Sequence, residues 1–213
     1  MIIESELNKM RENYEKGNFN IENAYPSPFN QFEKWFEDAK QAKIIEPNAM
    51  VLSTATKNGM PSSRVVLLKG YSEKGFIFFT NYNSRKGKEL FNNPYACLNL
   101  WWGQLERQIR IEGIIEKIDA KESDEYFYSR PLGSQAGAAT SPQSEKIESR
   151  EWLEKKFIET QLKGNIKRPE NWGGYILIPN KIEFWHGRTN RLHDRLLYTM
   201  IENEKWKIVR LAP

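Results

Sequence analysis

Apolar residues along this chain switch between two spacings, and the switches divide it. Residues 29 to 43 (FNQFEKWFEDAKQAK) place Phe29, Phe32, Trp35, Phe36 and Ala39 three or four apart, which predicts a helix with one buried stripe. A shorter helix is expected over residues 4 to 17, ending at Gly17, with Arg11 and Tyr14 on one face. The turn-rich NAYPSPFN separates the two. From residue 49 the runs become short and β-like. AMVLSTAT, the Asn58-Gly59 turn and SSRVVLLKGY read as a hairpin, and GFIFFTN as a third strand. Ser84 is a candidate N-cap for a short helix. YACLNLWW and ERQIRIEGIIEKI are further strands, and helices are expected over 121–129 and 144–163. The run SRPLGSQAGAATSPQS between them is rich in small and turn residues. After Trp172-Gly173-Gly174 come GYILIP, KIEFWHG, RLHDRLLYTMI and KWKIVRL, the last two separated by Asn203-Glu204.

About eight strands joined by hairpin-length loops, without βαβ alternation, predict a mainly β protein: an antiparallel barrel with peripheral helices. There is no G-x-G-x-x-G or G-x-x-x-x-G-K-[ST] run, so a dinucleotide or triphosphate loop has no support.

Composition narrows the partners. Apolar residues are 39% of the 213 and aromatics 13%, enough for a sizeable core. The net charge of +4 comes from bases interleaved with acids, which fits a small anionic ligand better than nucleic acid. Cys97 is the sole cysteine, so no disulfide forms within the chain. No apolar run is long enough for a membrane helix, and MIIESELNKM carries no signal pattern, so a cytoplasmic enzyme without membrane contact is expected.

Basic clusters mark candidate anion sites. Arg64 and Lys69 flank four apolar residues; a regular strand would point them to opposite faces, so they serve one composite site only if the strand bends or if two ligands lie on either side of it. Arg85 and Lys86 follow Ser84 at a helix start, where two cations oppose the helix dipole unless an anion is present. Tyr126, Arg130 and Ser134 recur every four residues across a helix end, where Pro131 stops one helix or starts another. Residues 182–195, IEFWHGRTNRLHDR, gather both histidines (His186, His193), Trp185 and Arg188, Arg191 and Arg195. Tryptophan beside arginine suits stacking on a conjugated ring. The histidines lack partners at metal-ligand spacing, so no metal is expected. No Ser-His-Asp or nucleophilic cysteine stands out, which favours chemistry borrowed from a cofactor.

These segments resemble the pyridoxamine/pyridoxine 5′-phosphate oxidases. The likeness rests on R-V-V-L-L-K (64–69), F-F-T-N (78–81), S-R-K (84–86), L-E-R-Q (105–108), Y-F-Y-S-R-P (126–131), S-Q (134–135), Q-S (143–144), W-G-G (172–174), E-F-W-H-G (183–187), R-L-H-D-R (191–195) and R-L-A-P (210–213). The resemblance implies an FMN-binding split antiparallel β-barrel spanning 1–213, working as a homodimer. Its segments would be an N-terminal helical segment and lid (1–45), the first barrel strands (46–120), a helical insertion (121–165) and C-terminal strands (172–213). It implies that Arg64, Val65, Leu67, Lys69, Phe79, Thr80, Arg85, Lys86 and Gln108 hold FMN, with Gln143 and Ser144 contributed across the dimer and Trp185 and Arg195 completing the site. Lys69, Tyr126, Arg130 and Ser134 would grip the substrate phosphate. Arg191 and His193 would face the reacting side, with Arg11 and Tyr14 as lid contacts. Phe79 departs from the tyrosine common in relatives. The implied reaction oxidises pyridoxamine or pyridoxine 5′-phosphate with O2 to pyridoxal 5′-phosphate, releasing H2O2, and NH3 from the amine. Rival readings are a flavin reductase or carrier on the same barrel, and a basic nucleic-acid-binding barrel.

Overall fold

The structure, a computed structural model, describes residues 10, 13–202 and 205–213. In chain order the main elements are helix α1 (Pro28–Gln41), strands β1 (Ala49–Ala55), β2 (Pro61–Leu67), β3 (Gly70–Ser72) and β4 (Gly75–Asn81), and helix α2 (Arg85–Asn92). Strands β5 (Tyr95–Trp102) and β6 (Arg107–Lys117) follow, then helices α3 (Ala120–Ser129), α4 (Leu132–Thr140) and α5 (Arg150–Leu162). Strands β7 (Trp172–His186), β8 (Asp194–Met200) and β9 (Trp206–Arg210) complete the order. Strand order is β2-β1-β5-β6-β7-β4-β3, with β8 between β7 and β9, and the registered pairs are antiparallel. The helices fall outside any βαβ pattern, as expected of a split antiparallel barrel.

The chain folds as two compact units. One comprises Asn48–Asn99 and Ile111–Asn180. Here the β1–β2 hairpin turns at Gly59, whose φ of +81° suits a residue without a Cβ. Strand β2 then ends where the sequence allowed a bend. Leu68 donates its N–H to Asn48, and the next N–H, that of Lys69, goes to Ile77 on β4. The backbone changes partner within one residue. The core holds Met50, Leu52, Phe76, Phe78, Leu98 and Leu177, all at most 1% exposed. A second cluster of Phe127, Ala136, Ile166 and Trp172 lies under α3 and α4.

The other unit comprises the described residues up to Pro47, Leu100–Arg110 and Lys181–Pro213. Helix α1 begins with Pro28 in its first turn, where a missing N–H costs nothing. Its buried stripe is Phe29, Phe32, Trp35 and Ala39. Trp35 meets Phe184 edge-on at 5.2 Å and Phe19 at 4.9 Å. Phe184 meets Tyr198 at 5.4 Å.

Several expectations need correction. Residues 13–17 are not helical, and the rest of the expected first helix, except Met10, lies outside the described residues, Arg11 included. The small-residue run after Arg130 holds a helix, α4: Pro131 stands at its N-cap, and Ala136 is its buried residue. The expected 144–163 helix starts only at Arg150, capped by Ser149. GYILIP and KIEFWHG are one strand, β7, which runs through Pro179 although proline has no N–H to donate. Among the described residues, no helix is long and apolar enough to cross a membrane.

Candidate active site

A cavity of about 770 Å³ opens in the unit containing β1–β4. Arg64, Lys69, Lys86 and Arg130 line it, and none of its lining residues is a carboxylate. The bend after Leu67 lets Arg64 and Lys69 share it. Val65, Leu67, Phe79, Thr80, Tyr126, Ser134 and Gln143 also line it. Eleven of the candidate residues thus converge on one cavity.

Local structure explains each placement. Ser84 caps α2 through its side chain, accepting the Gly87 N–H. That start turns Lys86 inward, where it is 8% exposed and donates to Gln143 Oε1 at 2.8 Å and Thr80 Oγ1 at 3.2 Å. Burial, with the Arg64 charge nearby, pushes the Lys86 pKa down to about 8. Gln143 also accepts from Thr80 at 3.1 Å, so it lines the cavity of its own chain. Arg130 sits at the α3–α4 junction, its carbonyl accepting from Gln135 Nε2 at 2.8 Å. Its guanidinium lies 4.8 Å over the Trp172 ring, and its Nη1 is buried with no hydrogen-bond partner. Burial lowers its pKa. A buried guanidinium N–H without an acceptor is costly in a ligand-free site and fits a site built for an anion.

Trp172 was missed as a candidate, although W-G-G was its visible signal. Phe79 stacks on Tyr126 at 3.8 Å and on Trp172 at 5.5 Å, giving the cavity an aromatic wall. A Cβ on Gly174 would come 2.3 Å from Ile118 Cδ1 and 2.9 Å from the Phe79 ring, so position 174 has no room for a side chain beside that stack.

Arg85 and Ser144 do not line this cavity. They border a neighbouring depression of about 540 Å³ with Lys57, Lys88, Glu89 and Glu145. The dipole argument for a ligand anion fails at Arg85, because Glu89 one turn on already accepts from its Nε at 2.9 Å. It holds for Lys86, which has neutral partners only.

The remaining described candidates belong to the other unit. Gln108 is on β6. Trp185 ends near the C-terminus of β7, with the His193 ring 4.6 Å away and Tyr14 edge-on at 5.8 Å. Tyr14 also meets His193 at 5.7 Å. The Arg188 N–H donates to His193 Nδ1 at 3.1 Å, so in neutral His193 the proton sits on Nε2. Burial, then the charges of Arg191 and Arg195, lower its pKa and favour that neutral form. Arg191 is exposed and has φ +61°, next to Asn190 at +55°. Two successive left-handed residues other than glycine are uncommon and concentrate at functional loops. Arg195 donates Nε to Glu183 at 2.8 Å and Nη1 to the Ala212 carbonyl at 2.8 Å. Glu183, 3% exposed, also accepts from Arg110. No group of metal-ligating side chains occurs among the described residues.

Cations, hydroxyls and an amide around an aromatic wall fit a flat compound that carries phosphate. Fold and site together define an antiparallel split barrel with a cation-lined, aromatic-walled pocket. Comparison with known proteins gives the family. Residues 36–164 match the model described as pyridoxamine 5′-phosphate oxidase, and 172–213 match the pyridoxine 5′-phosphate oxidase C-terminal dimerisation region. The chain belongs to the pyridoxamine 5′-phosphate oxidase family. It is 57% identical over 191 residues to a pyridoxine/pyridoxamine 5′-phosphate oxidase of Nostoc sp. (strain PCC 7120), covering 88% of this chain and 89% of that one. It is 53% identical over 211 residues to the Paraburkholderia phymatum protein of the same name, covering 98% and 100%. Among solved structures, PhzG from Burkholderia lata 383, in complex with tetrahydrophenazine-1-carboxylic acid, is 34% identical with a TM-score of 0.86 over 90% of this chain and 95% of that one. A pyridoxamine 5′-phosphate oxidase-related, FMN binding protein from Nostoc punctiforme shares the fold, with a TM-score of 0.71 at 16% identity over 88% and 98%.

Proposed function

We propose that the protein oxidises pyridoxamine 5′-phosphate and pyridoxine 5′-phosphate to pyridoxal 5′-phosphate, with FMN as cofactor and O2 as final acceptor. The single observation that carries this reading is the cavity itself: four cations, no lining carboxylate, and an Arg130 N–H buried without an acceptor. Two phosphate esters are the ligands such a cavity would take. Family membership and curated relatives named for these substrates support the choice.

In this reading Arg64, Lys86 and Thr80 hold the cofactor phosphate, with Gln143 beside them. Tyr126, Arg130 and Ser134 hold the substrate phosphate, and Lys69 serves at the junction. FMN, when bound, supplies the two-electron acceptor that O2 restores, yielding H2O2. The chain's own work is orientation and charge complementarity. Arg191 fixes the substrate ring and assists loss of a proton at its reacting carbon. His193, neutral and protonated on Nε2, donates a hydrogen bond there. Trp185 and Arg195 complete the cofactor site in a homodimer, a state supported by the match to a dimerisation region. The amine substrate then needs one water to give aldehyde and ammonia; the alcohol gives aldehyde directly. A cytoplasmic setting belongs to the same proposal.

The test mixes purified protein and FMN with pyridoxamine 5′-phosphate in air and follows aldehyde and peroxide. Equal yields of the two are expected. A protein that stays colourless when saturated with FMN ends the proposal. The likeness to PhzG favours one second reading, a carboxylated polycyclic ring as substrate. Turnover of such a ring without turnover of either B6 phosphate would replace the first reading with the second.

A further inference from the structure

Glu89 is 7% exposed on α2 and is not a lining residue of the cavity, yet it contacts Arg64, which is one. One carboxylate oxygen, Oε2, accepts from Ser62 Oγ at 2.6 Å, from Thr54 Oγ1, and from Arg64 Nη2 at 3.4 Å. The other, Oε1, accepts from Arg85 Nε at 2.9 Å. The same hydroxyls serve the arginine directly. Arg64 Nη1 donates to Thr54 Oγ1 at 2.6 Å and to the Leu52 carbonyl at 3.1 Å, and Nη2 donates to Ser62. Arg64, Thr54, Ser62 and Glu89 therefore form one closed network beneath the cavity, and Glu89 contributes its only negative charge.

We propose that Glu89 is a positioning residue: through Thr54 and Ser62 it fixes the direction in which Arg64 presents its guanidinium to a phosphate-bearing ligand. The inference rests on the reading of the cavity as an FMN site. A guanidinium is a planar fork, and its value to a phosphate depends on its angle as much as on its charge. Four acceptors around Arg64 leave it one orientation. Glu89 keeps those acceptors in place because its Oε2 accepts from both hydroxyls at once. Burial works against the carboxylate charge, but the hydrogen bonds from Ser62, Thr54 and Arg85 outweigh it and hold the pKa down at about 2. The network therefore stays charged throughout the range in which an enzyme works. In Glu89→Gln the amide nitrogen must face donors at one end, either the Arg64 side or Arg85, so the closed network opens.

The test measures binding of FMN and of riboflavin, which lacks the phosphate, to wild type, Glu89→Gln, Arg64→Ala and the double variant. Wild-type FMN binding checks the underlying reading. Given that, Glu89→Gln is expected to weaken FMN about tenfold while leaving riboflavin within twofold, and to add nothing in the Arg64→Ala background. A structural role alone would weaken both ligands alike. Unchanged FMN affinity in Glu89→Gln, or an equal further loss on top of Arg64→Ala, overturns the inference. If Glu89→Gln does not fold, Ser62→Ala carries the same cycle, with a smaller, two- to fivefold loss expected for FMN alone. Ser62→Ala that binds FMN as the wild type does would also overturn it.

Discussion

The two regions that hold the candidate residues treat charge differently, although Arg64 in the cavity also has a carboxylate partner, Glu89. In the cavity, Lys86 donates only to neutral oxygens and Arg130 keeps a buried N–H without a partner. In the region around Trp185, arginines are matched within the fold: Arg195 by Glu183, and Arg188 and Arg210 by Asp194. Asp194 also accepts the Phe19 N–H at 3.0 Å. Uncompensated buried cations cost stability until an anion arrives, whereas compensated ones hold a scaffold still. The first region therefore suits an anion, as the proposed function requires. The second is built to hold rings and a strained loop in fixed positions. Arg191 stands apart within it, exposed and in a left-handed conformation.

The largest expected effect comes from Arg191. Arg191→Ala should lower kcat by about 10²–10³-fold, the cost of losing one group aimed at the reacting centre. FMN affinity should stay within about twofold, since the residue is absent from the cavity lining. Steady-state kinetics with a parallel FMN titration decides this. Equal losses in both would erase the division of labour between the regions.

Arg130→Ala sharpens the other side. Removing a charged donor costs about 1.5–3 kcal/mol, so KM for pyridoxamine 5′-phosphate should rise about 10- to 100-fold. Loss of the guanidinium over Trp172 is a smaller part of this, because that contact survives without substrate. A KM unchanged in Arg130→Ala would remove it from the phosphate grip.

Sequence reading worked best where one residue type permits little else. Asn58-Gly59 fixed a turn, Ser84 a helix start, and the apolar stripe of α1 its buried face. The Arg64–Lys69 spacing even stated its own condition, a bend, which the switch from Asn48 to Ile77 supplies. It failed where partners are distant in sequence. Glu89 carries no local signal, since nothing near it in sequence brings Thr54 and Ser62 to it. The dipole argument at Arg85 overlooked Glu89 one turn on, because it weighed only the helix start. Helix α4 was hidden because alanine and glycine carry no apolar period.

The uncompensated charge of Lys86 predicts a pH dependence. Its folded pKa, about 8, lies below its ordinary 10.5, so the ligand-free protein gives up that proton as pH rises through 8. A bound phosphate favours the charged amine, so binding above pH 8 must take up a proton. FMN affinity should be level between pH 7 and 8, where the phosphate is already largely dianionic, and then fall up to about tenfold per pH unit. In Lys86→Met the fall should vanish along with part of the affinity. Folding stability should move the other way, rising between pH 8 and 10.5, because the unfolded chain holds the proton that the fold releases. FMN titration and urea unfolding across that range measure both slopes.

The smallest effect tests how tightly the ring-holding region is packed. A Cβ on Gly187 would lie 2.6 Å from Tyr14 Cγ, nearer than two carbons pack, so Tyr14 sits where it does because position 187 has no side chain. Backbone on either side of that contact is pinned: Lys16 donates its N–H to Glu106 at 3.0 Å, and Gly187 donates to the Glu106 carbonyl at 2.7 Å. Gly187→Ala must therefore push the Tyr14 ring off Trp185 and His193, since neither strand of backbone can yield. The loss of one aromatic contact is about 0.5–1.5 kcal/mol, a two- to tenfold rise in KM at most. FMN affinity should move by no more than this, because Trp185 itself keeps its place on β7 and the cation-lined cavity lies in the other unit. Tryptophan fluorescence reports the displacement directly, as Trp185 loses an edge-on neighbour. A spectrum and KM identical to wild type would mean that Tyr14 does not depend on this seat, and that the region tolerates more movement than its matched charges imply.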